Sequence, residues 1–148
     1  MTITEKVQKD MITAMKARDK ERLSALRMIL SQLQMGKKEA RGEFGEADEF
    51  KVLATEKKRR LQAAEAFRDG GRTESAQKEE AEARIIDTYL PPAMTEDELI
   101  TLVDEAITAE GAEGPRDTGK VMSYVMAKVA GRADGRAVSA IVKTRLGG

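Results

Sequence analysis

The side chains able to do chemistry in this chain are carboxylates, lysines, arginines and hydroxyls, because histidine and cysteine are both absent. No imidazole base, thiolate nucleophile, disulfide or soft metal ligand can therefore form, which excludes Ser-His-Asp, Cys-His and zinc-centred mechanisms. Three clusters of the remaining types stand out. The first is the basic run Lys57-Lys58-Arg59-Arg60, preceded by Glu56. At about 100° per residue its four bases wrap most of the way round a helix, and two readings stay open. In one, Lys57 lies between Leu53 and Leu61 with its stem on the core edge and its ammonium paired to an acid of a neighbouring helix. In the other, Lys58, Arg59 and their neighbours, Arg60 among them, form a ridge that contacts phosphates.

The second cluster is Gly131-Arg132-Ala133-Asp134-Gly135-Arg136. It reads as a tight helix–helix turn in which Gly131 stops one helix, Asp134 caps the next, and Arg132 and Arg136 flank the corner. Two guanidiniums beside the free N–H groups of a helix N-terminus suit a phosphate or a carboxylate. Equally, Asp134 and an arginine simply pair to hold the turn. The third is Gly114-Pro-Arg-Asp-Thr-Gly119-Lys120, which has the glycine and lysine spacing of a phosphate-binding loop. Val121 stands where a Mg²⁺-holding hydroxyl belongs, and an acidic helix precedes the segment instead of a strand. It reads as a Gly/Pro loop feeding a helix. Glu79-Glu80-Ala81-Glu82 and the acids of 96–110 lie on solvated helix faces without an EF-hand pattern. No metal, no cofactor and no catalytic residue is expected.

The elements that position these clusters are helices. Ala, Leu, Met, Glu, Lys and Arg dominate, proline occurs only at Pro91, Pro92 and Pro115, and no long apolar/polar alternation appears. Thr2 and Glu5 fit a capping box ahead of a stripe of Ile3, Val7, Met11, Ala14 and Met15. Asp19 caps a second helix along Leu23, Leu26, Leu30 and Leu33, which fades into a turn at 41–45. Asp48 caps a third, with Phe50, Leu53, Leu61, Ala64 and Phe67 inward, ending at Gly70-Gly71. A fourth runs from Thr73 through Ala76, Ala83, Ile86 and Leu90 to Pro91-Pro92, the best domain boundary in the chain. Beyond it, Thr95 and Glu98 form a second capping box before Leu99, Leu102, Val103, Ala106 and Ile107. Two further helices follow, along Val121, Met122, Val125, Met126 and Val129, then Val138, Ile141, Val142 and Leu146. Most of the eight methionines lie on these buried stripes. The expected architecture is all-α: a four-helix N-terminal subdomain over residues 1–92 and a three-helix bundle over 93–148.

The 148 residues balance 26 Lys and Arg against 26 Asp and Glu, so the chain as a whole is not a basic nucleic-acid binder. The balance conceals segregation. Residues 93–113 hold seven acids and no base, whereas 114–148 hold seven bases against Asp117 and Asp134. Aromatics are 3% with no Trp, a poor supply for stacking on single-stranded bases. No apolar run is long enough to span a membrane and the start lacks an apolar signal segment, so a cytoplasmic location without membrane contact is expected.

Lys58-x-Arg60, Phe67 with Gly71-Arg72, Tyr89-Leu90-Pro91, Gly119-Lys120-Val121-Met122 and Gly131-Arg132-Ala133-Asp134-Gly135 together resemble the GatB/YqeY family, from about Leu23 to Leu146. The chain is similar to the family's stand-alone YqeY-like members. It also resembles the tail of the B subunit of tRNA-dependent amidotransferase, a carbon–nitrogen ligase with glutamine as amido-nitrogen donor. The resemblance implies two helical subdomains and a tail-like module that contacts tRNA. The family's catalytic cradle and serine amidase lie outside such a module, so this polypeptide is not expected to catalyse the reaction alone.

Three functions compete. A tRNA-binding accessory module would use Lys120, Lys128, Arg132, Arg136 and Lys143 on phosphates, with the acidic helix facing away from RNA and binding that weakens steeply with salt. A protein-interaction module would dock on an amidotransferase or synthetase partner through an exposed apolar patch. An amido-transferring enzyme would need an activated nucleophile, for which no residue is available. The first is the preferred expectation.

Overall fold

The computed structural model describes residues 1–147. Helices are α1 (Ile3–Lys16), α2 (Lys20–Ala40), α3 (Glu46–Asp69), α4 (Thr73–Asp87), α5 (Glu96–Glu110), α6 (Thr118–Val129) and α7 (Gly135–Leu146), with a 3₁₀ turn at Pro115–Asp117. No strand occurs among the described residues, so the all-α expectation holds. The chain divides into two compact units, residues 1–91 and the segment from Pro92 onward. Each has its own apolar core.

In the first unit the helix starts follow the chemistry of their caps. Thr2 Oγ1 accepts from Glu5 N at 3.1 Å while Glu5 Oε2 accepts from Thr2 N at 3.0 Å, and Asp19 Oδ1 accepts from Arg22 N at 3.1 Å. These contacts satisfy amides that the helix itself leaves unpaired. α3 differs: it begins at Glu46, with Asp48 inside its first turn and accepting from Gly45 N at 2.9 Å. Ile3, Val7, Leu26, Ile29, Leu33, Leu53 and Ile86 form the heart of the core. α2 and α3 approach so closely at Gly36 that an added Cβ would lie 2.8 Å from Val52 Cγ2.

Two residues expected inward are not. Met15 is 57% and Leu61 45% exposed. The inward face of α3 steps through Glu49, Leu53, Glu56, Arg60, Ala64 and Phe67, all buried or half-buried, at spacings of three and four. Leu61 lies one residue, about 100°, past that seam, and Met15 stands in the same relation to buried Ala14. Two glutamates and an arginine occupy positions where an apolar pattern would place leucines.

The second unit is a three-helix bundle around Leu99, Val103, Ala106, Val121, Val125, Val129, Val138, Val142 and Leu146. Its capping box is intact, with Glu98 N donating to Thr95 Oγ1 at 3.1 Å and Thr95 N to Glu98 Oε2 at 3.0 Å. α6 ends one residue earlier than expected: Ala130 (φ +47) and Gly131 (φ +82) both take left-handed conformations. Met122 and Met126 are half-buried flanks of this core. No helix among the described residues is long and apolar enough to cross a membrane.

Candidate functional site

The basic run of α3 is largely spent inside the first unit. Lys57 Nζ pairs with Asp87 of α4 at 2.7 Å. Arg60 turns inward, where Nη1 meets Glu79 at 3.2 Å and Glu82 at 3.3 Å, and Nη2 meets Glu56 at 3.7 Å. Arg59 points outward and holds the other oxygen of Glu56 at 2.9 Å. Glu56 is 3% exposed, so these guanidiniums keep a buried carboxylate compensated. Burial, and then the charge of Glu79, push the Glu82 carboxyl above its ordinary range, against the pull of Arg60. Lys58 is exposed and also engaged. Arg60 thus does not join exposed Lys58 and Arg59 in an outward ridge. Beside them lies a shallow groove of about 210 Å³ lined by Lys57, Leu61, Glu80, Ala83, Arg84 and Asp87, smaller than the clefts that hold small molecules.

Tyr89, the first residue of the Tyr-Leu-Pro segment, also has a structural partner: its hydroxyl donates a short hydrogen bond to Asp10 of α1. Burial, followed by this bond, holds the phenol well above its ordinary value. Leu90 is half-buried against the core, and Pro91 closes the unit. Sequence reasoning passed over Glu49, which is 4% exposed. Its carboxylate accepts from Ile3 N at 3.4 Å, Thr4 N at 2.9 Å and Thr4 Oγ1 at 2.8 Å. A residue of α3 therefore caps the first turn of α1, a tertiary contact with no local pattern to announce it.

In the second unit the turn at Gly131–Gly135 ties the chain to itself. Arg132 O accepts from Met94 N at 2.9 Å, Arg132 Nε donates to Pro92 O at 2.9 Å, and its Nη2 lies 3.7 Å from Glu98. Asp134 caps α7 by accepting from Arg136 N at 3.3 Å. The Gly114–Lys120 loop is occupied in the same way. Asp117 Oδ2 accepts from Glu113 N at 3.0 Å, and that bond leads the effects holding its carboxyl below the usual range. An acid thus sits where a phosphate loop needs free donors. Lys120 Nζ stands 4.0 Å from the same carboxylate, and Gly119 has open space around its α-carbon.

The acidic helix does not face wholly away from the bases. Glu98, Asp104 and Glu105 of α5 reach Arg132, Arg145 and Lys128 at 3.7, 3.3 and 3.7 Å. Lys128 also accepts no competitor easily: its ammonium lies 4.7 Å over the Tyr124 ring and donates to that hydroxyl at 2.9 Å, which raises its pKa. Two candidates escape this compensation. Arg136 and Lys143 are exposed on α7, seven residues apart and so on one face, and neither side chain has an ion-pair partner among the described residues. Exposed Ser139 lies between them on that face, unremarked in the sequence because a lone serine carries no signal until its neighbours are placed. No group of acids able to hold a metal ion occurs among the described residues.

These features define an all-helical, two-unit protein whose basic α6–α7 hairpin is partly neutralised by its own acidic helix. The chain belongs to the family of YqeY-like proteins, whose pattern it matches over residues 4–146. It is 32% identical over 85 residues to an uncharacterised protein of Schizosaccharomyces pombe, an overlap of 57% of this chain and 69% of that one. It is 29% identical over 131 residues to a Pyrenophora tritici-repentis protein named altered inheritance of mitochondria protein 41, mitochondrial, covering 86% of this chain and 71% of the relative.

Proposed function

We propose that this protein is a tRNA-binding accessory module of the glutamine-dependent amidotransferase type, non-catalytic alone, acting in the cytoplasm. The observation that carries this reading is the composition of the α6–α7 hairpin. Its two helices hold Lys120, Lys128, Arg136, Lys143 and Arg145 and no acid, the one acid between them being the α7 cap Asp134, and neither Arg136 nor Lys143 has an ion-pair partner among the described residues. Bases on a solvent-facing helix bind phosphates by displacing condensed counterions, a term independent of sequence. Lys120, 4.0 Å from Asp117, is a more loosely held charge on α6, whereas Lys128 and Arg132 contribute less because acids and carbonyls of their own unit already hold them.

The test is anisotropy binding of deacylated tRNA across a salt series. Wild type should bind with an affinity that falls log-linearly with salt. Arg136→Gln with Lys143→Gln should weaken binding and reduce the slope by about 2, one step of about 0.9 for each lost phosphate contact. An unchanged slope in the double variant would remove α7 from the interface. No binding at low salt would remove the reading and favour a protein partner, such as an amidotransferase or a synthetase. Ile12 and Met15, 55% and 57% exposed three residues apart on α1, are the surface to vary in that case.

A further inference from the structure

We infer that α7 lies along the minor groove of double-helical RNA, with Arg136 and Lys143 on phosphates and Ser139 on a ribose 2′-hydroxyl. The inference rests on the nucleic-acid reading above and narrows its substrate to the RNA duplex, selected over single strands and over DNA without reading sequence.

Arg136, Ser139 and Lys143 stand at i, i+3 and i+7, one face of a helix, and all three are exposed without side-chain partners among the described residues. The two bases are separated by about 10 Å along the helix axis. Between them the surface carries nothing larger than Ser139 and exposed Ala140, so a flat surface can approach the backbone closely. The minor groove of A-form RNA is wide and shallow and presents 2′-hydroxyls between its phosphate rims, whereas its major groove is too narrow for side chains. A serine hydroxyl both donates and accepts, which matches a 2′-hydroxyl and finds no counterpart on DNA.

The second unit also lacks most side chains that read sequence. Residues 92–148 contain no Asn, Gln, Phe or Trp, the side chains that most often recognise adenine edges or stack on bases. The one aromatic, Tyr124, is half-buried against the core, with Lys128 near its ring and hydrogen-bonded to its hydroxyl. Of the unit's four arginines, Arg132 and Arg145 are held by Pro92 O and Asp104, Arg116 stands on the 3₁₀ turn before α6, and Arg136 is taken by a phosphate in this placement, which leaves none on α6 or α7 for bidentate contact with guanine. Shape and the 2′-hydroxyl are the recognition features left to the hairpin.

The experiment uses the full chain and four fluorescent probes: two RNA duplexes of unrelated sequence, the DNA duplex matching one of them, and an unstructured single-stranded RNA of equal length. Wild type should bind both RNA duplexes within about twofold of each other, and DNA and the single strand at least about fivefold more weakly. Ser139→Ala, a change at an exposed helical position whose circular dichroism should match wild type, should bring the RNA-to-DNA ratio close to one without altering affinity for DNA. Arg136→Gln with Lys143→Gln should weaken binding to both duplex types. A Ser139→Ala ratio equal to wild type overturns the inference while phosphate binding stands, as does a single strand bound as tightly as duplex. Failure of wild type to bind any of these probes or tRNA overturns the nucleic-acid reading itself.

Discussion

At the scale of single residues, the first unit is held by polar contacts made between helices. Glu49 satisfies the amides of Ile3 and Thr4 while Thr2 satisfies that of Glu5, so three of the orphan donors at the start of α1 are met, two of them by another helix. Glu49→Ala should cost about 1–3 kcal/mol in urea unfolding, because it leaves donors near buried Ile3 without an acceptor. Glu65→Ala, at an exposed position on α3, should stay within about 0.5 kcal/mol of wild type. Tyr89 allows a test with a pH signature. Its neutral phenol is favoured in the fold, by burial first and then by donation to Asp10. A folded pKa above the unfolded value near 10 means this contribution is present below that pH and lost as pH rises through the folded value. Tyr89→Phe should destabilise by about 1–3 kcal/mol at neutral pH. The gap between variant and wild-type urea midpoints should then shrink steadily towards strongly alkaline pH. A gap that stays constant would show that the hydroxyl's ionisation is not linked to folding.

At the scale of elements, α3 and α4 are joined by a polar seam of ion pairs. Arg60 faces Glu56, Glu79 and Glu82, so replacing it by Met leaves three carboxylates around an apolar side chain. The expected loss is about 3–5 kcal/mol, the usual consequence of removing one partner from a buried ion pair. Acidification should partly rescue the variant. Glu82 already has a raised pKa from burial and from Glu79, so its protonated form favours folding below the ordinary carboxylate value and that help fades as pH rises. Arg60→Met should therefore gain stability relative to wild type between neutral pH and pH near 5, measured by thermal unfolding. This hairpin also shows what the sequence hides. Capping boxes at Thr2 and Thr95 and the valine stripes of α6 and α7 are local, and each was legible because the donor, the acceptor and the period lie within a few residues. The inward face of α3 was not legible. Its seam runs through Glu49, Glu56 and Arg60, and their acceptability inside depends on partners in α1 and α4 up to 46 residues away. The same limit applied to the candidate site. Five basic positions on α6–α7 could be read from composition, but which of them keep a free charge depended on where α5 places Asp104 and Glu105.

At the scale of the whole molecule, a formal charge of zero and a proposed affinity for RNA are reconciled by distribution. Two bases of the α6 and α7 helices are paired to α5 acids, each a phosphate contact withheld: Arg145 at 3.3 Å from Asp104 and Lys128 at 3.7 Å from Glu105. These pairs are exposed, so their contribution to stability is small, about 0–1 kcal/mol each. Their effect on the surface field is larger in proportion, because RNA responds to the summed charge of the hairpin and acids within one Debye length subtract from it directly. Asp104→Asn with Glu105→Gln should therefore leave the melting temperature nearly unchanged while strengthening tRNA binding at low salt. If both released bases reach phosphates, the slope of log affinity against log salt should steepen by up to about 2. Adding Lys128→Gln and Arg145→Gln to that pair should cancel the gain, which separates release of two specific bases from a general loss of negative charge. Stronger binding that survives the fourfold variant would point to field alone. Unchanged binding in the acid variant would mean that RNA never approaches the α5 side of the hairpin, leaving Arg136 and Lys143 to define the contact by themselves.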